Sequence, residues 1–308
     1  MRDQAIKSAI EAATWAPSVH NSQPWTFVVT GEEIGVRADA DRKPREGERE
    51  ALIGCGAALF NIRIVLRHSG WAPITRILPD PDRPNLLATV RLGEAVTPDE
   101  STRRLVDEIE RRRTHRAGFT NLPIPDRLVE TLVGQAAEEG GRLVPIADPR
   151  AARVLAALTQ AAQAARAEDP EVRRWSRPPG SPRGDGVPAD AYPAEPADTG
   201  FPQREYVWGI DTDQSVATAT GVVAVMTTPT DSRQEWIATG QALQRILLHA
   251  SVVGVSAAFH TQALEMPHLR EFLREEVCAG AYPQMIMRLG VTFEETRGVR
   301  RPLSEVLD

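Results

Sequence analysis

A chain of 308 residues has room for one large unit or two intimate halves around a substantial core. Hydrophobic residues make up 42% and charged residues 25%, ordinary values for a globular protein. The formal net charge of -6 gives no reason to expect nucleic acid or an anionic membrane surface as a partner. No stretch reads as the roughly 20 apolar residues of a membrane span, and Met1-Arg2-Asp3-Gln4 lacks the layout of a secretory signal. Cys55 and Cys278, the only cysteines, sit in apolar, helix-like surroundings. They are expected as reduced, buried thiols of a cytosolic protein.

In chain order, residues 4–15 place Ala5, Ile6, Ala9, Ile10 and Ala13 at helical spacing. Residues 26–29 and 34–38 read as strands joined by a turn at Gly31-Glu32-Glu33. A long apolar helix is predicted over 49–68, stopped by Gly70, and a strand over 87–92. A charged helix follows from about 99 to 113, then one from 126 to 139 with Asp126 as N-cap, then an Ala-rich helix over 149–166. Residues 176–205 hold Pro and Gly in a density that excludes a regular element. They form either a mobile surface insertion or a lid or binding loop. A buried strand is predicted over 217–228, a helix over 236–253, a strand over 284–289 and a short tail over 297–308.

The chain repeats itself. The segment 56–70 and the segment 240–254 each begin and end with Gly, and each has Leu three residues after the first Gly. Each is followed by a strand ending Arg-Leu-Gly, at 91–93 and at 288–290. Two matches in one order point to a degenerate duplication, and a duplicated chain can fold as a pseudo-dimer.

Two clusters carry chemistry. In Ala16-Pro17-Ser18-Val19-His20-Asn21-Ser22-Gln23-Pro24-Trp25, Pro17 ends a helix, and Asn21 and Gln23 offer donors and acceptors that suit the polar edge of a heterocycle. An ordinary capping loop shows the same residues. In Arg111-Arg112-Arg113-Thr114-His115-Arg116, forked guanidiniums and a hydroxyl make an anion site, or else a solvated basic patch. Metal-binding spacings, Gly-x-Gly-x-x-Gly after a strand and Gly-x-Ser-x-Gly are absent from the sequence.

The first cluster resembles, at every signature position, the Pro-Ser-x-x-Asn-x-Gln-Pro-Trp motif of the nitroreductase family. The resemblance implies that Pro17, Ser18, Val19, Asn21 and Gln23 lie against a flavin. The second is similar to the family's Arg-Arg-Ser-x-Arg segment, with Arg112, Arg113, Thr114 and Arg116 on the FMN phosphate and Thr in place of Ser. Arg300-Arg301-Pro302-Leu303 resembles the family's Arg-Pro-Leu ending, so Arg300 or Arg301 is expected to add a cation there. Phe259, Thr261 and Gln262 fall in the loop that faces the flavin N5 in the family, where the usual Pro-x-Glu-Gly is replaced. His260 in that loop is expected as a structural histidine.

The first half has the Pro-Ser motif and lacks an arginine cluster ahead of it. The second half has the arginines, but Glu138-Glu139-Gly140-Gly141-Arg142-Leu143 stands where its Pro-Ser motif would be. One complete FMN site per chain is therefore expected. The layout most resembles the actinobacterial Acg family of fused pairs with a lid over the flavin. The expected fold is α+β, a mixed, mainly antiparallel sheet flanked by helices, in two halves at 1–98 and 99–308, with the insertion at about 176–210. The implied activity is an FMN-dependent NAD(P)H oxidoreductase acting on a small organic substrate or electron acceptor, with no catalytic side chain singled out. The alternative is an FMN-sequestering protein whose lid excludes NAD(P)H. Ring dehydrogenation, as in relatives that act in natural-product assembly, is a third option. A monomer is expected to suffice for the site.

Overall fold

The computed structural model describes residues 1–43, 47–116, 119–165, 170–178, 180–188, 221–293 and 298–308. It opens with α1 (Arg2–Ala13), which buries the predicted stripe Ala5, Ile6, Ala9, Ile10 and Ala13. β1 (Trp25–Thr30) and β2 (Glu33–Ala38) form a hairpin whose tight turn uses Gly31 at φ +59°. Trp25 and Phe27 point to the core from one face of β1, as the period of two requires. α2 (Glu48–His68), β3 (Trp71–Ile77) and β4 (Leu86–Ala95) complete an antiparallel sheet of order β1-β2-β4-β3.

After α3 (Glu100–Glu108) the pattern recurs. α4 (Asp126–Ala137) leads to β5 (Arg142–Pro145), and then come α5 (Pro149–Ala165), α6 (Pro170–Trp175), β6 (Ser176–Arg177) and β7 (Val187–Pro188). β8 (Val222–Thr228), α7 (Arg233–Val252), β9 (Val255–Phe259), α8 (Pro267–Glu276) and β10 (Tyr282–Val291) follow. The second sheet has order β5-β8-β10-β9, antiparallel throughout. In both sheets the strands stand first, second, fourth, third, with a long helix between the second and the third. The expected mainly antiparallel α+β pseudo-dimer is realised as two sheets rather than one central sheet. Among the described residues its parallel contacts are the β6–β7 pair and two isolated bridges.

α2 and α7 pack together at the centre. A Cβ on Gly56 would lie 2.2 Å from the Ile237 carbonyl oxygen, and one on Gly240 would lie 2.0 Å from that of Ile53. Each repeat thus places the same glycine against the same carbonyl of the other, so the helices meet backbone to backbone. The α2 segment is long and apolar enough to cross a membrane, contrary to expectation, but 83% of its most apolar stretch is buried inside the fold. Being surrounded on all sides by protein, it carries no polar face.

Several boundaries moved. β3, β5, β9 and α8 were not foreseen. β3 is interrupted by Pro73 and largely half-exposed, and β5 and β9 span only four and five residues. Pro125, not Asp126, is the N-cap of α4. α3 ends at Glu108 instead of running to 113, because the chain turns there to lie along β9. Thr114 bridges Ala257, and the His115 N–H donates to the Ala257 carbonyl at 2.9 Å. Ser176–Arg177 and Val187–Pro188 pair in the segment expected to lack regular structure. Residues 189–220, which include most of the lid and the start of the strand at 217, lie outside the described residues. Cys55 is buried and Cys278 only partly so, both as free thiols. Burial pushes the Cys278 thiol up to about 11.

The tail returns to the first half. The Phe27 N–H donates to the Val306 carbonyl at 2.7 Å, and the Asp308 N–H donates to the Phe27 carbonyl at 2.8 Å. The free side of β1 is thereby covered by the last residues of the second half.

Candidate functional site

The turn between α1 and β1 is strained. His20, Asn21 and Gln23 hold φ of 53°, 53° and 51°. Non-glycine residues rarely occupy this left-handed region, and such clusters persist where the surroundings over-determine them, often at functional sites. Here the determinants are visible. The Ser18 hydroxyl accepts from the Gln23 N–H at 3.0 Å. The Gln23 amide donates to the Gly184 carbonyl at 2.6 Å and accepts from the Arg301 N–H at 2.9 Å. The Asn21 amide donates to the carbonyls of Gly186 (3.1 Å) and Val299 (3.2 Å) and accepts from Arg300 at 3.1 Å. The loop is therefore sewn to the insertion and the tail, both of which lie far along the chain.

The described part of the insertion is equally fixed. Asp185 receives Arg42 and Arg177, each at 2.8 Å. Burial alone would raise its carboxyl, but the hydrogen bonds from Arg177 and Arg42 prevail and hold it at about 2. Of the two readings of this segment, the docked one fits residues 176–178 and 180–188.

Beside the strained loop lies a pocket of about 440 Å³ lined by Arg112, Arg113, Arg116 and Arg300, together with Thr114, Asn21 and the backbone of Gly186–Pro188. Arg112 is buried, and its Nε and Nη1 have no hydrogen-bond partner. The Nε of Arg300 has none either. Among the described residues none of the four guanidiniums forms an ion pair. Burial first, then the charges of Arg113 and Arg116, lower Arg112 to about 9. Burial, then Arg112, Arg113 and Arg116, lower Arg300 as well. Uncompensated buried cations with free N–H groups are costly unless an anion completes them. Four forked donors and a hydroxyl suit the oxygens of a phosphomonoester. Arg111 stands outside, solvated and paired with Glu108.

A second, deeper cleft of about 800 Å³ shares Pro17, Ser18, Thr114 and Arg116 with the anion pocket and opens to solvent. Its apolar walls are Ile53, Gly54, Leu243, Phe259 and Met285. Val19, Thr261 and Gln262 line it too, and the Gln262 Nε2 has no partner. A largely apolar cavity with a few polar groups, joined to an anion pocket, fits a ring system carrying a phosphate. Glu50 also lines the cleft, paired with Arg49. Burial raises its carboxyl, with Arg49 opposing and Glu265 adding to the rise.

The structure thus gathers Pro17, Ser18, Val19, Asn21, Arg112, Arg113, Thr114, Arg116, Phe259, Thr261, Gln262 and Arg300 around the two connected cavities. It does not bring Gln23 or Arg301 there. Gln23 is fully buried in the hydrogen bonds given above, and Arg301 turns to Asp39 and Glu305. Asn21 lines the pocket with both amide donors already committed to backbone carbonyls. His260 is buried, accepts from the Arg288 Nε at 3.1 Å and lies outside both cavities. Glu50, Ile53, Gly54, Leu243 and Met285 were missed. Gly54 and Gly56, two positions apart in a buried helix, were the available signal, since small residues there let other groups approach.

The nitroreductase family model matches residues 1–40. Over 297 residues the chain is 30% identical to the Mycobacterium tuberculosis protein Rv3131, which carries the provisional name NAD(P)H nitroreductase. The match covers 93% of this chain and 85% of the relative. It is 28% identical to the Acg protein of the same organism, which carries the same provisional name, over 98% of this chain and 94% of the relative. The chain belongs to the nitroreductase family. Among solved structures it is similar to an FMN-dependent nitroreductase, NfnB of Mycobacterium smegmatis, solved with NADPH. The TM-score is 0.39 at 18% identity, covering 66% of this chain and 96% of that one. It is also similar to a nitroreductase-type protein of Desulfovibrio desulfuricans solved with FMN (TM-score 0.41, 17% identity, 66% and 94% coverage).

Proposed function

We propose that the chain binds one FMN between its two halves and works as an NAD(P)H-dependent oxidoreductase on a small organic acceptor. The observation that carries the cofactor is the set of four guanidiniums beside an apolar cleft, none ion-paired among the described residues and two of them, Arg112 and Arg300, with unpaired buried N–H groups. Charge-assisted hydrogen bonds are worth about 1.5–3 kcal/mol each. Three or four of them cover much of the about 8 kcal/mol that micromolar binding needs. In this reading Arg112, Arg113, Thr114, Arg116 and Arg300 hold the phosphate. Ser18, Gly54, Phe259, Thr261 and Gln262 would line the ring, with the unpartnered Gln262 amide available to a polar group of it. Bound FMN supplies the hydride chemistry, and the protein supplies position and electrostatics. The relatives' names support NAD(P)H as donor.

The packing of the other half supports one site per chain. A Cβ on Gly141 would lie 2.6 Å from the Ala242 Cβ, so the turn after α4 rests directly on α7 where the duplicated Pro-Ser loop would stand. A monomer then suffices for the site.

A second reading, FMN storage without turnover, is favoured by the insertion, whose Gly186–Pro188 backbone walls the anion pocket. Anaerobic mixing of the yellow protein with NADH and NADPH separates the two. Rapid bleaching supports the reductase. No bleaching, with dithionite still reducing the flavin, supports storage. A protein that takes up no FMN refutes both.

A further inference from the structure

Trp15 ends the run from α1 into the strained loop and belongs to no motif singled out above. Its carbonyl oxygen accepts from the Nη2 of Arg112 at 3.1 Å and from the Nη2 of Arg300 at 3.1 Å. Its indole ring faces two more contacts. The guanidinium carbon of Arg113 lies 4.6 Å from the ring centroid and that of Arg300 lies 5.1 Å from it. One half-buried residue of the first half thus touches three of the four guanidiniums of the anion pocket, which arrive from two separate segments of the chain.

The chemistry of that choice is informative. Clustered guanidiniums repel each other, and something must hold them in place while the pocket waits for its anion. A carboxylate would do so, but it would occupy the forked N–H groups that a phosphate needs. An aromatic face attracts the cation and takes none of its in-plane donors. A backbone carbonyl takes one N–H from each partner and adds no charge. The Nε and Nη1 of Arg112 and the Nε of Arg300 accordingly stay unpaired.

We propose that Trp15 is a positioning residue for the phosphate end of the cofactor. Its ring and carbonyl hold Arg112, Arg113 and Arg300 in one arrangement, and this sets the preference for FMN over riboflavin. The proposal rests on the FMN reading above. It makes Trp15 an organiser of the cations and not a contact of the flavin ring.

The test uses the full chain freed of flavin, titrated with FMN and with riboflavin, with inorganic phosphate as competitor. Two cation–π contacts predict that Trp15→Leu weakens FMN about tenfold, with riboflavin binding changed less than about twofold. Inorganic phosphate then competes less well in the variant than in the wild type. Trp15→Phe, which keeps an aromatic face, restores part of the FMN affinity, and it carries the test if the Leu variant does not fold. Equal losses for FMN and riboflavin overturn the proposal and make Trp15 a core residue only. Unchanged FMN affinity overturns it too. A wild type without preference for FMN over riboflavin overturns the phosphate-site reading itself, a failure visible before any variant is made.

Discussion

Replacing Arg112 by Met separates the stability of the protein from the affinity of its site. Arg112 is 5% exposed, and two of its three guanidinium nitrogens lack partners. Its lowering to about 9, by burial and by Arg113 and Arg116, implies a native-state penalty for the charged form. At about 1.4 kcal/mol per pH unit the fall from an ordinary arginine value amounts to about 4–5 kcal/mol. Because a lowered base is charged at neutral pH, the whole penalty is present there, and it fades only as pH rises above about 9. Met keeps most of the volume and removes the charge. It also removes the bond to the Trp15 carbonyl, about 1 kcal/mol. The flavin-free variant is therefore expected to be more stable than wild type by about 3–4 kcal/mol. The same change deletes one or two charge-assisted bonds to the phosphate, weakening FMN about tenfold to a hundredfold. Urea unfolding of the two apoproteins and FMN titration by absorbance read the two effects. An apo variant less stable than wild type by 1 kcal/mol or more refutes the idea of an uncompensated buried cation.

Three further expectations follow from other parts of the molecule. Arg116→Ala lowers FMN retention markedly and riboflavin binding much less; equal affinities for FMN before and after the change would place the phosphate elsewhere. Gly240→Ala sets a Cβ against backbone atoms at 2.0–2.8 Å and costs at least the roughly 1–3 kcal/mol of overpacking, whereas Gly134→Ala, with nothing within 4 Å, stabilises by about 0.5–1 kcal/mol. Matched denaturation curves check the opposite signs. Asp185, held at about 2, stabilises the fold above the ordinary carboxylate range, and that contribution of about 2 kcal/mol is lost as pH falls from about 4 to about 2. Asp185→Asn should flatten the acid limb of a stability–pH profile over that interval, and an unchanged limb would show that the insertion is not anchored there.

What the sequence revealed, it revealed through local rules. The stripe of α1, the alternation of β1 and the continuous apolar run of α2 each depend on neighbours in the chain, so their periods could be read directly. The duplication was legible because Gly56 and Gly240 answer to the same packing demand. Illegible features depended on distant partners. β5 and β9 are short strands that exist because β8 and β10 offer them edges. Asn21 and Gln23 looked like free amides, and only the fold shows that Gly184, Gly186, Val299 and Arg301 use them. Trp15 and Glu50 acquire meaning from what faces them, and nothing in their local sequence announces it. The choice between Arg300 and Arg301 was open for the same reason. Adjacent residues in an extended tail point opposite ways, and the partners Asp39 and Glu305 claimed the second.

The return of the tail to β1 also sets a clock. Phe27 waits for Val306 and Asp308, and Asn21 waits for Val299 and Arg300, so residues in α1's wake are completed by partners made much later. At about 5–20 residues per second, translation separates those partners by about 15–55 s. During that interval the edge of β1 is bare and the anion pocket lacks one of its four cations. Completion of the anion pocket is thus a late event in the life of each molecule, and a cut between Val291 and Val299 would separate β1's edge and the pocket from their last partners together.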